Sequence, residues 1–145
     1  MDFHILRIKT DKRRLGDLGE RAAAKYLRRV GYKILEKNYV CDEGEIDIIC
    51  KNKTTMVFVE VKTRTLGHLS PKEPRPASAV TPDKRRKIVL AAAPYGGLHG
   101  KGLRKRLDII EVFVDDSTGK PKIAEIKHLE GAFDKSVLTE RVYPR

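Results

Sequence analysis

The sequence predicts an α/β domain with a central mixed five-stranded sheet and helices on both faces, in the order α-β-β-β-α-β-β. Three observations lead there. Two runs rich in Ile and Val, Gly44 to Cys50 and Phe58 to Arg64, flank the short polar link Asn52-Lys53-Thr54-Thr55, which is the pattern of a β-hairpin. Thr81-Pro82-Asp83 is a helix start, with threonine as N-cap, proline pre-set for the first helical position and an acid that complements the helix dipole. A strand ending at Lys62, that helix and a strand beginning near Arg106 make a crossover unit, which returns parallel.

The elements follow in order. Asp17 to Val30 reads as a helix with Asp17 as N-cap, stopping at Gly31. Gly16, Ala23, Ala24, Leu27 and Val30 form its apolar stripe, and Arg14, Arg21, Lys25, Arg28 and Arg29 gather opposite. Glu20 falls on the apolar side and has two readings: a carboxylate reaching toward the sheet, or the acid of a capping box, Asp17-Leu18-Gly19-Glu20. Tyr32 to Val40 is the first strand and Cys41 to Gly44 turns into the hairpin. Thr63 to Val80 holds three of the seven prolines and suits a mobile loop. The second helix is predicted to run to about Ala93, before Pro94 and the glycines beyond it. Arg104 to Val114 and Pro121 to His128 complete the strands.

The 145 residues are the size of one domain, with tails at both ends. Basic residues number 31 against 20 acidic, a net charge of +11 that points to a polyanionic partner. Two cysteines, Cys41 and Cys50, make no disulfide framework, and Cys50 on an apolar face packs as a small hydrophobe. No apolar run approaches the roughly 20 residues that span a bilayer. Together these predict a cytoplasmic protein without membrane association.

Centring the hairpin turn on Lys53 and Thr54 sets Asp47 opposite Glu60 and Glu45 opposite Lys62. Ile46, Ile48 and Cys50 then meet Val57, Val59 and Val61 on one apolar face, while Asp47, Glu60 and Lys62 join Ile49 and Phe58 on the other. Charges in such surroundings are costly unless paired, metal-bound or open to a cleft. Two opposed carboxylates suit a hard divalent cation such as magnesium, and Lys62 projects to the same face, where it could position a water or offset negative charge. A plain cross-strand salt bridge is the alternative. His4, His68, His99 and His128 have no paired spacing, which argues against zinc.

Residues 81 to 106 hold Lys84, Arg85, Arg86, Lys87, Lys101, Arg104, Lys105 and Arg106 against Asp83 alone. As a group they predict a surface that contacts a nucleic-acid backbone, and Arg64 is assigned to it as well. Trp is absent, which disfavours a single-strand stacking platform and favours duplex or branched DNA. Asp108 reads as the ion-pair partner of Arg106 rather than as a ligand.

Gly19-Glu20-Arg21-Ala22-Ala23, Gly44-Glu45-Ile46-Asp47-Ile48-Ile49, Phe58-Val59-Glu60-Val61-Lys62-Thr63-Arg64, Arg106-Leu107-Asp108-Ile109-Ile110 and Ile126 to Phe133 occur in that order. In these motifs the chain, over about residues 11 to 133, resembles the YraN-like family of uncharacterised bacterial proteins. Those are predicted endonucleases related to archaeal Holliday junction resolvases within the restriction-endonuclease-like superfamily. The resemblance implies that fold and a metal-dependent phosphodiesterase. Asp47 and Glu60 would hold Mg2+ or Mn2+, the Val61 carbonyl would complete the shell, and Lys62 would assist the water. It also matches Glu20 to the acidic residue of the first helix. Ile46 replaces the proline of the simplest superfamily pattern, as in resolvase-like members.

The function expected is metal-dependent hydrolysis of duplex or branched DNA, in repair or recombination. Resolving a junction takes two symmetric cuts and hence a homodimer, although no segment declares an interface. The alternatives are a noncatalytic nucleic-acid-binding protein that retains a nuclease fold, and a protein-interaction domain whose charge keeps it soluble.

Overall fold

The computed structural model describes residues 3–66 and 80–134, with side chains from residue 12 onward. The elements are α1 (Phe3–Arg29), β1 (Lys33–Cys41), β2 (Gly44–Lys51), β3 (Thr55–Thr65), α2 (Pro82–His99), β4 (Arg104–Asp115) and β5 (Lys122–Phe133). They form a five-stranded sheet in the order β1-β2-β3-β4-β5. The β3–β4 pair is parallel and the other three are antiparallel, so the crossover through α2 returns as expected.

Each helix covers one face. On one side Ala23, Ala24 and Leu27 of α1 pack on Ile48, Cys50, Val57, Val59, Ile110, Val112 and Val114. On the other, Ile88, Val89, Ala91, Ala92 and Tyr95 of α2 pack on Ile49, Met56, Phe58, Leu107 and Ile109. The alternation of Val57, Phe58 and Val59 feeds both cores from a single strand. Neither described helix is long and apolar enough to cross a membrane.

Four boundaries differ most from the sequence reading, one of them the end of β5, which runs to Phe133 and not to His128. α1 runs straight through Asp17, so Asp17 is no N-cap and the capping-box role of Glu20 falls away. The preceding Lys12 to Leu15 are good helix formers and carry the helix past Gly16. α2 continues through Pro94 to His99. Pro94 and Leu90 are both exposed, so water can satisfy the Leu90 carbonyl that loses its amide partner, while Tyr95 and Gly96 remain buried. Thr63 to Thr65 belong to β3, and most of the predicted loop, residues 67–79, lies outside the described residues. The start of α2 is as read: Thr81 Oγ1 accepts from the Lys84 amide at 3.2 Å, and Pro82 occupies the first turn.

Candidate metal and nucleic-acid site

The hairpin has the predicted register, with Ile48, Ile49 and Cys50 opposite Val59, Phe58 and Val57. The ladder stops at Ile48. Asp47 does not pair its backbone with Glu60; instead its Oδ2 accepts the Val61 amide at 2.8 Å, so a side chain stands where a strand carbonyl would. The regular alternation of β2 breaks there. Ile46 packs in the α2-side core and not with Ile48 and Cys50, which corrects the face assigned to it from sequence.

The break opens the sheet between β2 and β3, and residues from both faces meet in it. Asn38 of β1, level with Asp47 and in the left-handed region at φ 51°, hydrogen-bonds the Glu20 carboxyl. Asparagine tolerates that backbone conformation better than most residues. Gly19 lets α1 approach closely, because a Cβ there would fall 1.8 Å from Thr63 Oγ1. A glycine and an asparagine thus bring Glu20 to the gap.

Glu60 is 3% exposed, and its Oε1 is met by Lys84 Nζ at 3.0 Å and Lys62 Nζ at 3.4 Å. These groups open into a cavity of about 650 Å3 whose lining includes the carboxylates Glu20, Asp47 and Glu60. Its positive charges come from Lys12, Lys62, Arg64 and Lys84. All four residues expected to be catalytic, the Val61 position, and two of the expected backbone contacts, Arg64 and Lys84, therefore share one cavity.

Burial, then the field of Glu60, pushes the Asp47 carboxyl up to about 7, and the Val61 amide offsets this only in part. Burial raises Glu20 as well, against the Asn38 hydrogen bond. For Lys84, burial pulls downward, but the hydrogen bond to Glu60 and the fields of Glu60, Asp47 and Glu45 outweigh it and its pKa rises. The Asp47 shift has a definite sign in stability. Its folded pKa lies above the ordinary 3.8, so its contribution is full below about 4 and is lost as pH rises through about 7. Asp47→Asn mimics the neutral carboxyl. In metal-free buffer it is expected to leave the thermal midpoint nearly unchanged at about pH 3.5 and to raise it at pH 8; equal shifts at both pH values would contradict the assignment.

The basic segment from residue 81 to residue 106 does not form one surface. Lys84 reaches Glu60, whereas Arg104 pairs with Thr55, five residues earlier on β3 and about 17 Å away along the strand. Several of these cations have internal duties. Arg85 Nε donates to the Val80 carbonyl and its guanidinium lies over Phe133. Lys87 pairs with Asp83 at 3.2 Å. Lys105 caps the Gly100 and Leu103 carbonyls at 2.6 and 2.8 Å. Arg106 forks onto Asp108 and donates to the Tyr32 hydroxyl, the ion-pair role expected for Asp108. Arg86 is partly buried on α2, and Arg104 is exposed at the far end of the sheet.

Sequence reasoning missed Lys12, Asn38 and the reach of Lys84 to Glu60. Lys12 lay outside the predicted helix, and nothing local marks Asn38 except that Asn tolerates a left-handed backbone. His128 is a packing residue, with Nε2 2.6 Å from Asp108 Oδ2 and Nδ1 3.0 Å from the Tyr26 hydroxyl.

The donor set suits a hard cation. Magnesium typically takes one or two carboxylates and fills its remaining positions with water and phosphate oxygens. Asp47 and Glu60 supply such a pair, and among the described residues no larger His, Cys, Asp or Glu cluster is preassembled for metal.

Comparison with known proteins shows which chains this one is similar to. The model of the uncharacterised protein family UPF0102 matches residues 19–112, a stretch that includes Glu20, Asp47, Glu60, Lys62 and Lys84. A UPF0102 protein of Caldanaerobacter subterraneus is 43% identical over 126 residues, covering 86% of this chain and 98% of the relative. A UPF0102 protein of Geobacter metallireducens is 42% identical over 121 residues, covering 83% and 92%. One of Chlorobaculum parvum is 41% identical over 124 residues, covering 82% and 91%.

Proposed function

The chain belongs to the uncharacterised protein family UPF0102, and we propose that it is a metal-dependent endonuclease on a restriction-endonuclease-like fold, cutting duplex or branched DNA. The observation that supports this reading most is the convergence of Glu20, Asp47, Glu60 and four cations in one open cavity, at the point where the β2–β3 ladder stops.

Asp47 and Glu60 would hold Mg2+ or Mn2+ through their oxygens, with the Val61 carbonyl beside them. A bound divalent cation supplies an activated water and neutralises charge on a phosphodiester. The chain's own residues do the rest. Lys62, on the same face as Glu60, offsets negative charge that develops on the phosphate oxygens. Lys12, Arg64 and Lys84 line the same cavity and can neutralise flanking phosphates. Glu20, with its raised pKa, stands ready to hold or pass a proton.

The test is cleavage of labelled junctions, flaps and plain duplex in Mg2+ or Mn2+. Metal-dependent cutting that disappears in Asp47→Ala and Glu60→Ala is expected, and cutting that persists in both would sink the assignment. One observation favours a second reading, a noncatalytic nucleic-acid-binding protein: Lys62 and Lys84 both pair with the Glu60 oxygen Oε1. That reading predicts salt-sensitive DNA binding indifferent to EDTA, with no cleavage.

A further inference from the structure

Both ammonium groups on Glu60 fall on the same oxygen, Oε1. The two are not equivalent. Lys62 stands on β3 two residues from Glu60, so its backbone is fixed by the same ladder that fixes the carboxylate. Lys84 reaches over from the first turn of α2, and its side chain is 48% exposed. Glu60, at 3% exposed, has little room to move. An ammonium at 3.0 Å from a buried carboxylate oxygen takes up the charge and the space that a divalent cation on that oxygen requires. When such a cation arrives, Lys84 is the group free to leave, and it leaves into a cavity that can receive phosphates.

We propose, building on the metal-site reading above, that Lys84 is an exchangeable counter-cation. It neutralises Glu60 while no divalent cation is bound, and on cation binding it transfers its ammonium to a phosphate of the nucleic acid in the same cavity. Lys84 then opposes the metal in the free protein and links the metal to the nucleic acid in the complex. Because linkage is reciprocal, a bound duplex that takes Lys84 away from Glu60 tightens the metal site.

The test is calorimetric titration of Mn2+ into the full chain, as wild type, Lys84→Met and Lys84→Arg, first alone and then with a cleavage-resistant phosphorothioate duplex. Without nucleic acid, Lys84→Met is expected to bind Mn2+ about fivefold more tightly, the scale of one lost competing ion pair, with Lys84→Arg close to wild type. The duplex is expected to tighten Mn2+ binding more in wild type than in Lys84→Met, whose gain comes only from phosphate oxygens at the metal, and an equal gain in both overturns the exchange. Unchanged or weaker Mn2+ binding in Lys84→Met overturns the exchange and leaves the metal site standing. Absence of Mn2+ binding in all three proteins overturns the metal site itself, and the exchange with it.

Discussion

Asp108→Ala is expected to lower the unfolding free energy by about 3 to 5 kcal/mol at pH 7, measured by urea unfolding. Asp108 is fully buried and accepts from four donors. Arg106 Nε lies at 2.8 Å and Nη2 at 2.9 Å, the Gly131 amide at 2.9 Å and His128 Nε2 at 2.6 Å. Truncation takes from the Arg106 guanidinium, 24% exposed, the carboxylate that it forks onto, leaving it Tyr32 and Glu130 at 3.7 Å. It also strips the largely buried His128 ring and the Gly131 amide of their acceptor, which costs more than the contacts contributed. The Tyr32 and Tyr26 hydroxyls, which bond Arg106 and His128, would have to rearrange as well. Burial pushes the Asp108 carboxyl up, but hydrogen bonds from His128, Arg106 and the Gly131 amide outweigh it and hold the carboxyl below its ordinary 3.8. A depressed folded pKa gives stability that is present above about 4 and is lost as pH falls through the folded value. The gap between wild type and variant should therefore close in strong acid. A deficit under about 1 kcal/mol at pH 7 would mean that the cluster contributes no more than a surface ion pair.

Lys62→Met is expected to reduce single-turnover cleavage by about 100- to 1000-fold, the usual cost of removing one charge-stabilising group from a reacting centre. Mn2+ affinity, read in the same protein, should not weaken, because the substitution removes a positive charge 3.4 Å from Glu60 and leaves Asp47 and Glu60 in place. The split between rate and metal affinity is what separates a role in the reaction from a role in holding the strand. Loss of both together would make Lys62 a structural partner of Glu60, and an unchanged rate would remove it from the chemistry.

How much of this was legible in the sequence depends on the range of the interaction. The hairpin register, the start of α2 and the parallel return of β4 are written in adjacent residues, in alternation and in caps, and each is found where the sequence put it. The meeting of Asp47, Glu60 and Lys62 follows from that register. Long-range features were not legible. Asp17 has the chemistry of an N-cap, yet the helix already begins at Phe3 and runs through it. Pro94 would end an isolated helix, yet the burial of Tyr95 beyond it keeps α2 going to His99. Lys84 looked like one more cation of a basic run, because its contact with Glu60 joins two elements separated by the long connection between β3 and α2. The basic run is spread out for a related reason: helix α2 lies between its two halves, so that Lys84 meets Glu60 while Arg104 stands at the start of β4 beside Thr55.

The Asp47 carboxylate that replaces a rung of the ladder has a consequence for observation. The Val61 amide hydrogen is held by a side chain and not by a neighbouring strand, so its electronic surroundings follow the state of that carboxylate directly. In an amide correlation spectrum the Val61 resonance is a native reporter on the centre. It senses a proton or a cation arriving at Asp47 with no label, no substrate and no turnover.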